Sequence, residues 1–215
     1  MDHIQLRYPT SNTAFLLIDP FNDFLSKRGK AWPLLRVVSK DVDLLNNLQA
    51  ALHLVRAKGL QVAYSPHAKY RPGTKLNRKY LHPAQYLQGV TTLFNANGFG
   101  GRFHQQFRPQ DGDIIGSEHA CSSGFINTDL HDQLQAQNIT HLIIAGLLSN
   151  TCIESTARTA VDYGYHVALL PECVSTWSRA DHQAAVAHSY MQLGHEVLTL
   201  KELTSALKAS EVADA

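Results

Sequence analysis

The sequence predicts an α/β domain built on a parallel sheet, and two observations support this prediction. Apolar runs typical of buried strands alternate with segments whose apolar residues recur every three to four positions, as in helices. Such strand–helix–strand units are connected by right-handed crossovers, which place helices on both faces of a parallel sheet. No repeat or linker interrupts the chain, so we expect one three-layer α/β/α domain over residues 1–215.

The predicted strands follow from the apolar runs. Residues 13–18 are continuously apolar, as expected of a strand that is buried on both faces. The other predicted strands cover residues 60–64, 113–115, 140–145, 166–170 and 196–200. The predicted helices cover residues 40–58, 127–137, 151–163, 179–192 and 201–208.

Residues 65–112 interrupt this alternation. They are rich in Pro, Gly, Asn, His and aromatic residues, and they separate the second and third predicted strands. Loops of this length in compact domains are usually functional or mobile. We expect this segment to form the wall or lid of a pocket, or a subunit contact.

Composition excludes several classes of function. A formal net charge of +1 and the lack of a basic block argue against binding to nucleic acid or a membrane surface. No apolar run approaches the length of a membrane span, and residues 1–5 lack a charged-then-apolar leader. The three cysteines indicate a reducing compartment and lack the paired spacing of a zinc site. We therefore expect a cytoplasmic protein without a metal or an organic cofactor.

Two reactive side chains follow predicted strands. Asp19 comes directly after the first strand, and Cys152 lies just beyond the fourth, at the start of a predicted helix. Ligands of open α/β sheets bind beyond the carboxyl ends of the strands, and helix-start amides favour a thiolate. A carboxylate beside a thiol is a plausible proton acceptor for a nucleophile. Each residue also has a plain structural role available, Asp19 as a helix cap and Cys152 as a small buried hydrophobe.

Four segments together resemble the isochorismatase-like cysteine hydrolases, whose members include nicotinamidases and N-carbamoylsarcosine amidohydrolase. The segments that carry this resemblance are Leu-Ile-Asp-Pro-Phe-Asn-Asp-Phe at 17–24, Gly-Phe-Ile-Asn-Thr-Asp-Leu at 124–130, Ala-Gly through Arg at 145–158, and Gly-Tyr-His-Val at 164–167. Each is a weak signal alone, but their shared order is specific. The resemblance covers residues 13–200, almost the whole chain.

The resemblance implies a fold and a set of site residues. The fold is a six-stranded parallel sheet flanked by helices, in homodimers or homotetramers. Asp19 matches the general base, and Cys152 matches the nucleophile. The Leu147–Leu148 bond matches a cis peptide of the family, and the N–H groups of Leu148 and Cys152 match its oxyanion hole.

One departure concerns the third catalytic residue of the family, a lysine. Ser117 stands at the position where the resemblance places that lysine, so a stabilising cation is missing there. The candidates for a compensating cation are His119 and the lysines of the long loop, Lys69, Lys75 and Lys79. The neighbouring Glu118 would oppose thiolate formation if its side chain pointed inward.

Several further residues are candidates for the substrate pocket. Phe24 and Trp177 are predicted to line it for a planar substrate, with core or interface packing as their plainer alternative. His119 is assigned to the same pocket. His67 follows the second strand, but no aspartate precedes it in an Asp-x-His pattern, so we expect a hydrogen-bond donor and no metal ligand.

The sequence therefore predicts a cysteine-dependent hydrolase of a small amide or related carbonyl compound, acting through a thioester. Two alternatives remain open. One is hydrolysis of a vinyl ether of the isochorismate type, with Asp19 as proton donor. The other is an eroded family member that acts as a binding or assembly protein, because Ser117 replaces the lysine.

Overall fold

Six strands form one sheet in this computed structural model, which describes residues 8–73 and 79–214, with backbone alone for 211–214. The strands are β1 (Thr13–Ile18), β2 (Gln61–Ser65), β3 (Ile114–Ile115), β4 (His141–Leu147), β5 (His166–Ser175) and β6 (Glu196–Val197). Their order across the sheet is β3-β2-β1-β4-β5-β6, and every neighbouring pair is parallel. The predicted α/β class is confirmed, and the sheet is parallel throughout.

The helices lie between the strands, as the alternation of the sequence predicts. They are α1 (Asn22–Leu25), α2 (Trp32–Asp41), α3 (Leu44–Ala57), α4 (Pro83–Thr91), α5 (Leu130–Ala136), α6 (Glu154–Asp162), α7 (Arg179–Ala184), α8 (Met191–Leu193) and α9 (Leu200–Asp214). Short π-helical turns precede α6 and α8, at Ser149–Ile153 and Ala185–Tyr190. Within the described residues, no helix combines the length and apolar character of a membrane span.

Two apolar layers cover the two faces of the sheet. Successive residues of β1 alternate between them: Phe15 and Leu17 join the layer that contains α3 and α9, whereas Leu16 and Ile18 join the layer that contains α5 and α6. All six residues of β1 are buried. Burial on both faces explains why this strand is an unbroken apolar run in the sequence.

The element boundaries differ from the predicted ones in several places. The helix predicted over 40–58 is broken near Asp43, whose left-handed φ of 47° separates α2 from α3. The prediction missed α2, and it ended β5 five residues before Ser175. β6 has only two residues, because α9 already begins at Leu200. The segment 65–112 contains α4 and was predicted without a helix.

Candidate active site

The pairing of β1 with β4 brings the two predicted reactive residues to the same edge of the sheet. Ile18 pairs with Gly146, so that Asp19 and the turn that follows β4 extend from adjacent strand ends. Gly146 has a φ of 119°, and a Cβ atom there would lie 2.2 Å from the Ile18 carbonyl oxygen. This position requires glycine both for its backbone conformation and for the close approach of the strands.

Asp19, His119 and Cys152 form a buried cluster at this edge. One potential ligand atom from each residue lies within 4.8 Å of those from the other two. Asp19 and His119 are 0% exposed, and Cys152 is 6% exposed. The backbone of Asp19 is left-handed, with a φ of 53°, although the residue is not a glycine. Such strain in a buried polar residue commonly accompanies a functional site.

The Asp19–His119 contact fixes the hydrogen-bonding state of both side chains. Asp19 Oδ1 and His119 Nε2 are 3.0 Å apart. A carboxylate can only accept, so the imidazole Nε2–H is the donor. Asp19 Oδ2 and His119 Nδ1 are both buried and have no hydrogen-bond partner among the described residues. Unpaired buried polar atoms are costly, so this pair retains unused capacity to accept a proton or bind a ligand.

Backbone hydrogen bonds position His119 beside Asp19. The His119 N–H donates to the Pro66 carbonyl at 2.9 Å, and its carbonyl accepts from the Ala68 N–H at 2.8 Å. These bonds extend the β2 edge by one short parallel pairing between His67 and His119. The two imidazole rings meet edge-on, with their centroids 5.0 Å apart.

The Cys152 thiol lies in the π-helical turn that follows β4. Burial raises its pKa well above the usual value for cysteine, and the nearby Asp19 carboxylate raises it further. Hydrogen bonding from the Leu148 backbone and the Thr151 side chain acts in the opposite direction. The net effect is a raised pKa of Cys152, whereas helix-start amides alone would lower it. The resting sulfur is therefore a thiol, and it needs a proton acceptor before it can attack.

The Leu147–Leu148 peptide bond is cis. The Leu148 carbonyl is occupied by the Thr151 and Ile153 N–H groups, each at 3.1 Å. The predicted oxyanion-hole role of Leu148 and Cys152 concerns their N–H groups and stays a prediction.

Ser117 lies outside this cluster, contrary to the placement expected from the resemblance. It is exposed, and both its N–H and its hydroxyl donate to Asp129 Oδ1, at 2.6 and 2.9 Å. The physical reason is the path of the loop, which directs this side chain toward the start of α5. His119 occupies the position beside Asp19 where a cationic side chain was expected.

The other charged candidates also lie outside the cluster. Glu118 does not point inward, because it pairs with Arg71 at 2.6 and 2.7 Å. Burial raises the pKa of Glu118, but Arg71 and Lys69 outweigh this effect and hold it below the usual range. Lys69 Nζ lies 4.0 Å from the same carboxylate, and Lys79 Nζ lies over a tyrosine ring. Lys75 is outside the described residues.

One feature of the sequence identifies His119 as a candidate base. Between Gly116 and Phe125 it is the only basic side chain. His119 is therefore identified when any nitrogen base in this interval is considered, and not only a lysine at one fixed position.

The predicted pocket residues form an aromatic series that leads from the surface to the cluster. Trp177, which is 38% exposed, packs edge-on against Phe24 with centroids 6.0 Å apart, and Phe24 packs against Phe94 at 4.8 Å. Phe94 in turn lies 5.2 Å from the His67 ring, which contacts His119. The sequence did not single out Phe94. Contact of these residues with a substrate remains a prediction.

The surroundings of His67 disfavour its charged form. Burial lowers its pKa, and its Nδ1 lies 3.0 Å from the Ala68 carbonyl oxygen. Because a carbonyl can only accept, Nδ1–H is the donor and Nε2 carries the lone pair. His67 therefore does donate a hydrogen bond, to the backbone carbonyl of the next residue, Ala68.

Comparison with known proteins identifies relatives over most of the chain. The isochorismatase domain model matches residues 13–202. The ureidoacrylate amidohydrolase RutB of Yersinia enterocolitica is 27% identical over 189 residues, which cover 83% of this chain and 79% of that protein. RutB of Acinetobacter baylyi is 29% identical over 191 residues, with 81% and 75% covered.

Solved structures share the fold. A cysteine hydrolase from Pseudomonas syringae pv. phaseolicola has a TM-score of 0.80 at 22% identity, with 98% of this chain and 100% of that chain covered. N-carbamoylsarcosine amidase from Thermoplasma acidophilum has a TM-score of 0.65 at 21% identity, with 87% and 95% covered. The family model spans all six strands and the three clustered residues. The chain therefore belongs to the isochorismatase family, and it is a hydrolase.

Proposed function

We propose that this protein hydrolyses the C–N bond of a small amide or ureido compound through a thioester on Cys152. The observation that carries the proposal is the buried contact of Asp19, His119 and Cys152, which places a carboxylate, an imidazole and a thiol within reach of one another. The amidohydrolase and amidase names of the relatives support the same class of bond.

The hydrogen bond to His119 gives the two oxygens of the Asp19 carboxylate different roles. His119 Nε2–H holds Oδ1, which leaves the unpartnered Oδ2 free to take the thiol proton. The pKa of Cys152 is raised by burial, so the proton leaves only when attack on a carbonyl carbon stabilises the product. His119 thus positions Asp19 through this hydrogen bond.

The remaining steps use the groups around Cys152. The sulfur bonds to the carbonyl carbon, and the oxyanion is bound by the N–H groups of Leu148 and Cys152. The C–N bond then breaks, and the leaving nitrogen takes the proton from Asp19. A water molecule attacks the thioester, releases the acid and returns the proton to the sulfur.

The test is a panel of amides and ureido compounds, including ureidoacrylate, with turnover and the intact mass of the protein measured together. We expect a substrate that gives an acyl adduct on Cys152. Cys152→Ala is expected to abolish turnover, and Asp19→Asn to reduce kcat by about 10²- to 10⁴-fold, the usual contribution of a positioned proton acceptor. Cys173→Ala is the matched control, because Cys173 is an equally buried thiol in the opposite apolar layer.

Two outcomes contradict the proposal. The first is the absence of both hydrolysis and adduct across the panel. The second is full activity of Cys152→Ala combined with loss of activity in Asp19→Asn, which would exclude a thioester on Cys152; a vinyl ether of the isochorismate type would then be added to the panel to test the alternative with Asp19 as proton donor.

A further inference from the structure

We infer that Asp19, His119 and Cys152 also form a binding site for one zinc ion, which takes the sulfur of the nucleophile and so inhibits the enzyme. The binding of zinc rests on the geometry of the cluster alone. Its inhibitory effect rests on the proposed function, because it requires Cys152 to be the nucleophile.

The chemistry of the three side chains suits zinc. Thiolate sulfur, imidazole nitrogen and carboxylate oxygen are the three ligand types that zinc takes in proteins. A lysine in place of His119 would offer a protonated amine and no lone pair at neutral pH. The histidine at this position therefore converts a site with two ligand groups into one with three.

The distances are close to those of a bound ion. Zinc–ligand bonds of about 2.0–2.3 Å place the ligand atoms of a tetrahedral site ~3.3–3.7 Å apart. Asp19 Oδ1 and His119 Nε2 are 3.0 Å apart, and the whole set lies within 4.8 Å. The site closes around an ion if the two ligand atoms that are farthest apart approach each other by ~1 Å, to the separation of a tetrahedral site.

The hydrogen-bonding capacity of the cluster accommodates the ion. To ligate through Nε2, His119 must carry its hydrogen on Nδ1, and this atom is buried with no hydrogen-bond partner among the described residues. The change of tautomer breaks no bond at Nδ1, and the bonds of zinc to His119 Nε2 and Asp19 Oδ1 replace the hydrogen bond between these two atoms. The imidazole stays neutral, and the thiol loses its proton to solvent as the sulfur–zinc bond forms, so one proton is released per ion.

Charge also favours a cation at this position. The buried Asp19 carboxylate has the His119 imidazole as its partner, while Glu118 pairs with Arg71 and lies near Lys69. Zinc bound to one carboxylate and one thiolate gives a complex of zero net charge, which is far less costly to bury than an unpaired carboxylate. A fourth ligand position stays open for water.

The first experiment measures binding. The purified full chain, freed of metal with a chelator, is titrated with zinc sulfate in competition with a chromophoric chelator. We expect one zinc per chain, and at least tenfold weaker binding in each of Cys152→Ser, His119→Gln and Asp19→Asn. His53→Ala, which removes an exposed imidazole, and Cys173→Ala are expected to bind zinc as the parent chain does. Cobalt in place of zinc should show a thiolate-to-metal charge-transfer band that Cys152→Ser lacks.

The second experiment uses the unmutated chain, so it does not depend on the folding of any variant. Zinc is expected to protect Cys152 from iodoacetamide, and a chelator to restore labelling. Amide hydrolysis should fall with the same zinc midpoint as the binding curve. Absence of binding, binding that survives Cys152→Ser, or full turnover by the zinc-loaded enzyme would overturn the inference. Zinc binding by a chain that hydrolyses no amide would instead count against the proposed function alone.

Discussion

Asp23 is expected to stabilise the fold without taking part in the chemistry, although it lies only four residues after Asp19. Its side chain is 2% exposed. Oδ1 accepts the Lys30 N–H at 3.0 Å, and Oδ2 accepts the Phe94 N–H at 2.7 Å. The carboxylate thus joins α1 to the segment before α2, at Lys30, and to the segment after α4, at Phe94.

The substitution Asp23→Asn keeps the size of the side chain but turns one acceptor into a donor. One of the two buried N–H groups then loses its partner and faces another N–H. A hydrogen bond to a charged group contributes about 1.5–3 kcal/mol, and an unsatisfied buried donor costs about 1–3 kcal/mol. Since these figures overlap, we expect the free energy of unfolding to fall by about 2–4 kcal/mol. In a chain of this size the midpoint temperature should fall by about 4–16 °C.

The assay is thermal and urea unfolding of the parent, Asp23→Asn and Asp111→Asn, in which Asp111 is exposed and serves as the matched control. Gly100→Ala provides an independent approach, because a Cβ atom there would lie 2.2 Å from the Asp23 carboxylate. We expect it to destabilise the fold in the same way. A fall of less than about 0.5 kcal/mol for Asp23→Asn, together with loss of activity, would refute the structural role and place Asp23 in the reaction.

Three further predictions concern other parts of the molecule. Ser117→Lys should leave amide turnover unchanged relative to Ser117→Ala, because position 117 is exposed and outside the cluster; a large gain in kcat/KM would contradict this. Burial raises the pKa of Cys173 to about 12, so the folded chain holds this proton more tightly than the unfolded chain. This contribution to the free energy of unfolding is complete below about pH 8.5 and is lost as pH rises toward 12, by at most about 1.4 kcal/mol per pH unit. In urea titrations from pH 8 to 10, the free energy of unfolding should therefore decline less steeply with pH in Cys173→Ala than in the parent chain. Gly124→Ala should destabilise the fold by about 1–3 kcal/mol in urea unfolding, because its Cβ atom would lie 2.2 Å from Ser65 Oγ. Gly89→Ala is the control: its Cβ atom would lie in open space, so this substitution should be neutral or stabilising.

The central sheet and the reactive pair were predictable because both depend on local signals. β1 and β4 are buried on both faces, so their apolar runs are unbroken and their ends are marked by Asp19 and Gly146. Once two parallel strands are adjacent, their carboxyl ends meet at one edge. The contact of Asp19 with Cys152 therefore needed only the correct neighbours in the sheet.

His119 was among the candidates named from the sequence, but its contact with Asp19 was not predictable from local signals, because its position depends on contacts between distant segments. The resemblance placed a catalytic side chain at residue 117, but hydrogen bonds to Pro66 and Ala68 turn residue 119 toward Asp19. Ser117 is instead held by Asp129. The break at Asp43 is similar, since the apolar periodicity continues through it and a single left-handed residue ends the helix.

The two aspartates of the segment after β1 show what separates a structural carboxylate from a reactive one. Both are buried, and they lie only four residues apart. Asp23 has a backbone N–H on each oxygen, so removing its charge costs stability, and a proton on it would break a bond. Asp19 has a partner on Oδ1 and none among the described residues on Oδ2, so it can accept a proton without losing a contact. A buried but incompletely paired carboxylate costs stability and retains a free acceptor, so we expect Asp19 to be the proton acceptor of the proposed reaction.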